Sequence, residues 1–367
     1  MKFLNTGLFT IAGFLVLLSC RMGNTNTIPQ SNILIDTPAL LNDTISIIGV
    51  GDIMLGSSYP SASNLPADDA IHSFKEVDTF LKGDIVFANL EGCFLNNGRS
   101  TKCKDPNSTS CYAFKVPERY AGIIKNAGFN VLSLANNHVG DFGLNGRQRT
   151  TTILDSLAIN YAGLQTHPFS IFTKDSITYA FCAFAPNENT MSINKIDSAK
   201  LLVAELKKQA DIVIVSFHGG GEGAKFEHVP RKNEIFYQEN RGNVYAFAHG
   251  VIDAGADVVL GHGPHVTRAV EVYKNKFIAY SLGNFCTYGM FSLKGSNGFA
   301  PLLQLKINRQ GNFLFADIVS VKQDKINRLT LDTTFSAFKK IKSLTNADFP
   351  ENQLQFSGNG RIALESN

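Results

Sequence analysis

ISIIGVGDIMLG, residues 45–56, joins a β-branched apolar run to a glycine and an aspartate, and its reading decides the fold. Apolar side chains at most positions from Ile45 to Val50 suit a strand covered on both faces, and Gly51-Asp52 then puts a carboxylate at the strand's carboxyl end. Similar runs recur at 85–88, 131–134, 177–184, 212–217, 258–260 and 277–281. Segments with helical spacing fall between them at 118–127, 145–157, 199–209 and 233–254. This alternation is the βαβ signature and predicts the α/β class, a layered α/β/α sandwich around a largely parallel sheet. Runs at 302–307 and 314–321 flank Asn308-Arg309-Gln310-Gly311-Asn312 and predict a C-terminal β-hairpin.

With 367 residues, 44% of them hydrophobic and 18% charged, the chain can bury a sizeable core without disulfides. The strand pattern runs without a linker-like break, which predicts one main domain over 44–342. A net charge of +3, with no Lys/Arg stripe interleaved with aromatics, argues against nucleic acid as a partner.

Lys2 precedes an apolar run at 8–18 that is too short to cross a membrane comfortably, so 1–19 reads as a secretory signal peptide. Leu17-Leu18-Ser19-Cys20 resembles the bacterial lipobox, in which cleavage falls before a cysteine that becomes lipidated. An exported lipoprotein of the cell envelope, held to the membrane through Cys20, is therefore expected. Residues 20–43 read as a flexible tether, and 343–367 as a polar tail without assigned structure. Export permits a disulfide, and the short loop between Cys103 and Cys111 makes that pair the first choice. A zinc site on these thiols lacks paired CxxC elements; Cys182 and Cys286 lie in apolar runs and read as buried hydrophobes.

Polar residues follow the strands. Asp52 comes after the first, Asn89 and Glu91 after the second, and Asn136, Asn137, His138 and Asp141 after the third. His218 and Glu222 follow 212–217, and His262 and His265 follow 258–260. The carboxyl ends of parallel strands share one edge, where open α/β sheets bind ligands. Carboxylates and imidazoles at that density would repel or stay unsatisfied without a cation, and Mn²⁺, Fe²⁺ or Zn²⁺ accepts such an oxygen and nitrogen set, as one ion or two. Singly, each motif has a structural alternative: Gly51-Asp52 a turn, Asn136-Asn137 an Asx turn, His218 a core histidine. The pair His262 and His265 around Gly263-Pro264 suits a metal loop better than a core.

GDIMLG at 51–56, ANLEG at 88–92, LANNHVGDFG at 134–143, HGGGE at 218–222, GHGPHV at 261–266 and YSLGNF at 280–285 together resemble the CapA family. That family is named for capsule and poly-γ-glutamate synthesis and belongs to the calcineurin-like metallophosphoesterases. The resemblance implies Asp52 as ligand to one metal and Asn137 to the other, with His138 protonating the leaving group or stabilising charge on the substrate. It implies that His218, His262 and His265 complete the metal shells. Glu91 is the candidate bridging carboxylate, with Asp84 as alternative, while Asn89, Asp141, Glu222 and Asn284 orient ligands or contact substrate. Three departures stand out: Met54 where the superfamily has a histidine, Gly219 where CapA proteins usually have tryptophan, and a wider spacing of the last two histidines. A wider or differently shaped pocket follows from the second. The implied activity is a metal-dependent hydrolase of phosphoesters, or of amide bonds in an envelope polymer. The alternative is an accessory protein that binds an anionic polymer for a capsule or poly-γ-glutamate synthesis machine.

Overall fold

Strands that are apolar on both faces need covering on both, and here much of the cover is another sheet. The computed structural model describes residues 44–106, 108, 110–323 and 328–365. The signal peptide, the tether and Cys20 lie outside the described residues.

In the first sheet Thr44–Met54 is central. It runs parallel to Ile85–Leu90, which pairs in parallel with Val131–Ser133, and that strand with Asn160–Ala162. On its other side Phe299–Asn308 is antiparallel, and Asn284–Thr287 pairs in parallel with its carboxyl end. The second sheet holds, in order, Val270–Tyr273, Lys276–Ala279, Val258–His262, Ile212–His218, Ile177–Phe184 and Phe169–Lys174. Its four inner strands are parallel.

The α/β class holds, but the strands divide between two sheets where the sequence suggested one. Ile47, Phe87 and Leu303 of the first sheet pack with Phe181, Ile214 and Leu260 of the second. Phe87 and Phe181 meet edge-on at 5.7 Å, and truncating either to alanine would cost about 3–5 kcal/mol. Helices Tyr120–Asn126 and Gly143–Ser156 supply Ile124 and Leu154 against the outer face of the first sheet. Helices Ile196–Lys207 and Val244–Asp253 supply Val203 and Phe247 against that of the second. An apolar run shows that both faces are covered; it does not show by what.

The helix expected over 233–254 is confined to Val244–Asp253. Upstream, Tyr237 and Gln238 take left-handed backbone angles and turn Ile235–Phe236 back onto Glu239–Asn240. Gly242, at φ +90°, breaks the helical path, and Asn243 caps the helix by accepting from the Ala246 amide at 2.9 Å. The C-terminal hairpin forms as Phe299–Asn308 with Phe313–Gln323. Position 342 falls inside a helix, Ser336–Asp348, and two strands, Leu354–Ser357 and Arg361–Leu364, extend the first sheet beyond it. The segment 343–365 is thus part of the folded domain.

Candidate metal centre

Carboxyl ends of strands from both sheets meet in one place. Asp52 lies in register with Asn284 on the neighbouring parallel strand, and its amide donates to Gly283 O at 2.9 Å. Glu91 follows Ile85–Leu90, its amide donating to Ile53 O at 3.0 Å. His218 and His262 are paired in register at the ends of adjacent strands of the second sheet. His265 sits in the turn beyond, at φ +55°, a left-handed conformation that aims its ring back at the strand ends. Asp52, Glu91 and His218 are buried and offer ligand atoms all within 4.8 Å of one another. Asp52 Oδ2 lies 2.9 Å from His265 Nδ1, and its Oδ1 lies 3.2 Å from His262 Nδ1 and accepts from Asn89 Nδ2 at 2.8 Å. His265 Nε2 is 3.6 Å from Glu91 Oε1.

The residues fit a divalent cation. Glu91 Oε1, His218 Nδ1 and both ring nitrogens of His262 are buried without a hydrogen-bond partner, an expensive state for polar atoms unless a ligand takes them up. Burial would raise the Asp52 carboxyl, but the His262 and His265 rings beside it, at 3.2 and 2.9 Å, hold it well below the usual range. Burial, and then the Asp52 charge, pushes Glu91 well above its ordinary value. Burial disfavours a charged His265, yet Glu91 and Asp52 overrule it and raise the ring to about 10. His218 is driven well below its normal value by burial and the nearby Arg241 charge. Oxygen and nitrogen donors of this kind suit Mn²⁺, Fe²⁺ or Zn²⁺.

Asn136 ties the third strand end into the centre. Its Nδ2 donates to Asn89 Oδ1 at 3.1 Å and Leu90 O at 2.8 Å, and its Oδ1 accepts from the amides of His138 and Val139, both at 3.0 Å. The Asx turn considered as an alternative is therefore present, and it serves the site. His138 Nδ1 lies 2.7 Å from Asp141 Oδ2, its ring stacks on Phe114 at 3.8 Å, and its Nε2 is 4.0 Å from Glu91 Oε1. Asn137 lines the same cleft, its Oδ1 buried and unpartnered. The Asn284 amide donates to Asn297 O at 3.2 Å, while its Oδ1 also lacks a partner.

The cleft over these residues encloses about 560 Å³. Sequence reasoning missed two cations that line it. Arg241 is buried, with Nη2 at 3.1 Å from Glu222 Oε1 and 3.3 Å from His218 Nε2, and Nη1 at 3.0 Å from Glu239. Lys102 comes from the segment immediately before Cys103, which is disulfide-bonded to Cys111. Neither carries a local signal, because each reaches the site from a loop remote in sequence. Cys93, Cys182 and Cys286 are free and buried.

Two of the three departures from the family pattern, Met54 and Gly219, have a structural counterpart. Met54 is buried and its sulfur accepts from the Gly56 amide at 3.3 Å, so it serves the core. A Cβ on Gly219 would lie 2.8 Å from both Arg241 O and Ile193 Cδ1, so the room a tryptophan would need is filled. The glycine therefore leaves no extra room at this position. Asp84 accepts from the Ser46 amide at 2.7 Å at the opposite end of its strand, so Glu91 and not Asp84 lies with Asp52 at the centre.

Known proteins resemble this chain in sequence. "Capsule biosynthesis protein CapA" of Bacillus anthracis is 29% identical over 66% of the chain, which spans 60% of that relative's length. "PGA biosynthesis protein CapA" of Bacillus subtilis is 29% identical over 79% of the chain and 77% of its own length. A "Probable polyglutamine synthesis accessory protein" of Mycobacterium tuberculosis is 30% identical over 42% of the chain and 44% of its own. Among solved structures, a 5'-nucleotidase precursor from Thermus thermophilus aligns over 83% of this chain and 59% of its own, at 11% identity and a TM-score of 0.43. The profile of the bacterial capsule synthesis protein PGA_cap family matches residues 46–288, and the chain belongs to that family.

Proposed function

We propose that this protein is an exported, lipid-anchored hydrolase that uses a divalent metal, acting on phosphoester or amide bonds of an envelope polymer in capsule or poly-γ-glutamate synthesis. The observation that carries the reading is the set of unpartnered donors at Glu91, His218 and His262 gathered around Asp52. A divalent cation held there would polarise a phosphoryl or carbonyl oxygen and acidify water. Asp52, Glu91, His218, His262 and His265 would hold one ion, and Asn137 is the candidate ligand for a second. His138, braced by Asp141 and Phe114, presents Nε2 to the cleft, where it can carry a proton to the leaving group. Family membership and the printed names of the relatives support the link to capsule synthesis. Lys2, the apolar run and the lipobox-like Cys20 support export and anchoring to the membrane, and lipid labelling lost in Cys20→Ser would test it.

Met54 favours a second reading. A centre with one nitrogen donor fewer suits an accessory protein that binds an anionic polymer without cleaving it, and the mycobacterial relative is named as an accessory protein. Assay with a generic phosphodiester and a γ-glutamyl peptide in Mn²⁺, beside His138→Ala, separates the two. The hydrolase reading expects a rate loss of about 10²–10⁴ in the variant with metal retained. Turnover absent from both proteins while both hold metal overturns it.

A further inference from the structure

Lys102 lies on the far side of His138 from the Glu91 carboxylate, on a loop pinned to the His138 turn. Thr101 N donates to Asp141 O at 2.9 Å, Ser100 Oγ to the same oxygen at 3.1 Å, and Thr101 Oγ1 to Gly140 O at 3.2 Å. The disulfide from Cys103 to Cys111 closes this loop immediately after Lys102, and Cys103 N is tied back to Ser100 Oγ at 3.0 Å. The Lys102 ammonium donates to Asn137 O at 3.2 Å, and it lies 3.2 Å from Asp141 Oδ1 and 3.3 Å from His138 Nδ1.

The Asp141 carboxylate is thereby divided between two tasks. Oδ2 faces His138 Nδ1 at 2.7 Å and accepts from Phe114 N at 2.8 Å. Oδ1 has no hydrogen-bond donor of its own and faces the Lys102 charge. Lysine is only a donor, so a proton on Nδ1 rules out a bond between Lys102 and that nitrogen. The shorter contact, to Asp141, decides the matter: Nδ1 carries the hydrogen and Nε2 is free toward the cleft. We infer that Lys102, held by the Cys103–Cys111 disulfide, is a positioning residue that locks Asp141 and so fixes the tautomer and aim of His138. The inference rests on the catalytic role proposed for His138, and it makes assembly of the proton-transfer group depend on oxidation of two cysteines.

Imidazole ¹⁵N spectra of the metal-free full-length protein, with kinetics of the Mn²⁺-loaded form, test it. In the wild type the His138 signals report a hydrogen on Nδ1. Lys102→Met shifts them toward the other tautomer and lowers kcat about tenfold, with KM and metal affinity within about twofold of wild type. Lys102→Arg, which keeps a positive charge beside Asp141, restores the tautomer; this rescue separates lost positioning from a misfolded methionine variant. The double variant Cys103→Ser/Cys111→Ser reproduces the Lys102→Met spectrum, and combining all three adds no further loss. A Lys102→Met protein with the wild-type His138 tautomer, or fully additive losses in the combined variant, overturns the inference. Should the wild type turn over nothing, the proposed hydrolase falls while the spectra still decide the role of Lys102.

Discussion

Asp52 and Glu91 share a single amide: Asn89 Nδ2 donates to Asp52 Oδ1 at 2.8 Å and reaches Glu91 Oε2 at 3.5 Å. Both carboxylates are wholly buried, so one neutral donor faces two acids. Unfolded, Glu91 ionises near its ordinary value of 4.5; folded and metal-free, it keeps its proton to higher pH because of burial and the Asp52 charge. The unfolded chain then loses that proton first, and stability of the metal-free protein falls as pH rises from 4.5 toward the folded value. Glu91→Gln should melt higher than wild type in EDTA at mildly alkaline pH, by on the order of 2 °C. The same variant should lose the stabilisation by metal, which in the wild type is about 2.7 kcal/mol at a hundredfold excess over Kd. Calorimetric scans with and without EDTA check both signs, and a variant that melts lower in EDTA contradicts the argument.

Metal binding should release protons. His265 is raised to about 10, so near neutral pH its ring is charged, with Nδ1 on Asp52 and Nε2 toward Glu91. A ring that ligates must first lose a proton. Titration calorimetry in two buffers of different ionisation enthalpy should show protons released from both His265 and the still-protonated Glu91, and affinity that rises with pH up to about 10. Release should fall by about one proton per ion in His265→Gln. If wild type and variant release equally, His265 remains a charged donor to Asp52 and is no ligand.

Much of this centre is legible in the sequence because chemistry and backbone share the same segments. Asp52, Glu91, His218 and His262 each end an apolar run, so one pattern places both the strand and its ligand. The pairing of strands is less legible: Ile47 and Ile214 look alike in sequence, and only packing assigns them to opposite sheets. The turn at Tyr237 and Gln238 is hidden because it places non-glycine residues in left-handed conformations. Leu354–Ser357 is short, edge-paired and half exposed, which gives no strong alternation. Arg241 and Lys102 are invisible for another reason: surface-type residues gain their meaning only from loops folded over the strand ends.

Two glycines should respond oppositely to alanine. A Cβ on Gly51 would lie 2.0 Å from Gly283 O and 2.7 Å from Leu282 O, backbone atoms of the segment that also accepts the Asp52 amide. Backbone cannot rotate aside as a side chain can, so Gly51→Ala should cost about 3 kcal/mol or more and weaken metal binding by shifting Asp52. Gly122, in the helix Tyr120–Asn126, meets nothing within 4 Å of an added Cβ. Gly122→Ala should gain about 0.5–1 kcal/mol from the lower entropy of the unfolded chain and leave metal binding unchanged. Urea unfolding in EDTA measures both, and equal effects at the two positions would refute the steric account.

Asp332 should contribute to acid sensitivity away from the metal centre. The helix Ser336–Asp348 begins after Phe335, which sits at φ +56° and provides no side-chain cap. Asp332 takes that part: Oδ2 accepts from Ser336 N at 2.7 Å, Oδ1 from Thr334 N at 3.1 Å, and Lys322 Nζ lies 2.8 Å away. Burial would raise its carboxyl, but these partners hold it far below the ordinary 3.8. The helix buries Phe338, Ile341 and Leu344, and Thr345 Oγ1 accepts from Val270 N at 3.0 Å, so loosening its first turn unsettles the packing on both sheets. Because the folded value is depressed, the contribution is complete above 3.8 and is lost as pH falls through the folded value. Asp332→Asn should therefore cost about 1 kcal/mol near neutral pH and remove part of the acid-induced loss of stability. Urea midpoints measured from neutral pH down to strongly acidic conditions should converge for the two proteins at the acid end. Parallel curves would mean that the carboxylate charge at this cap contributes nothing.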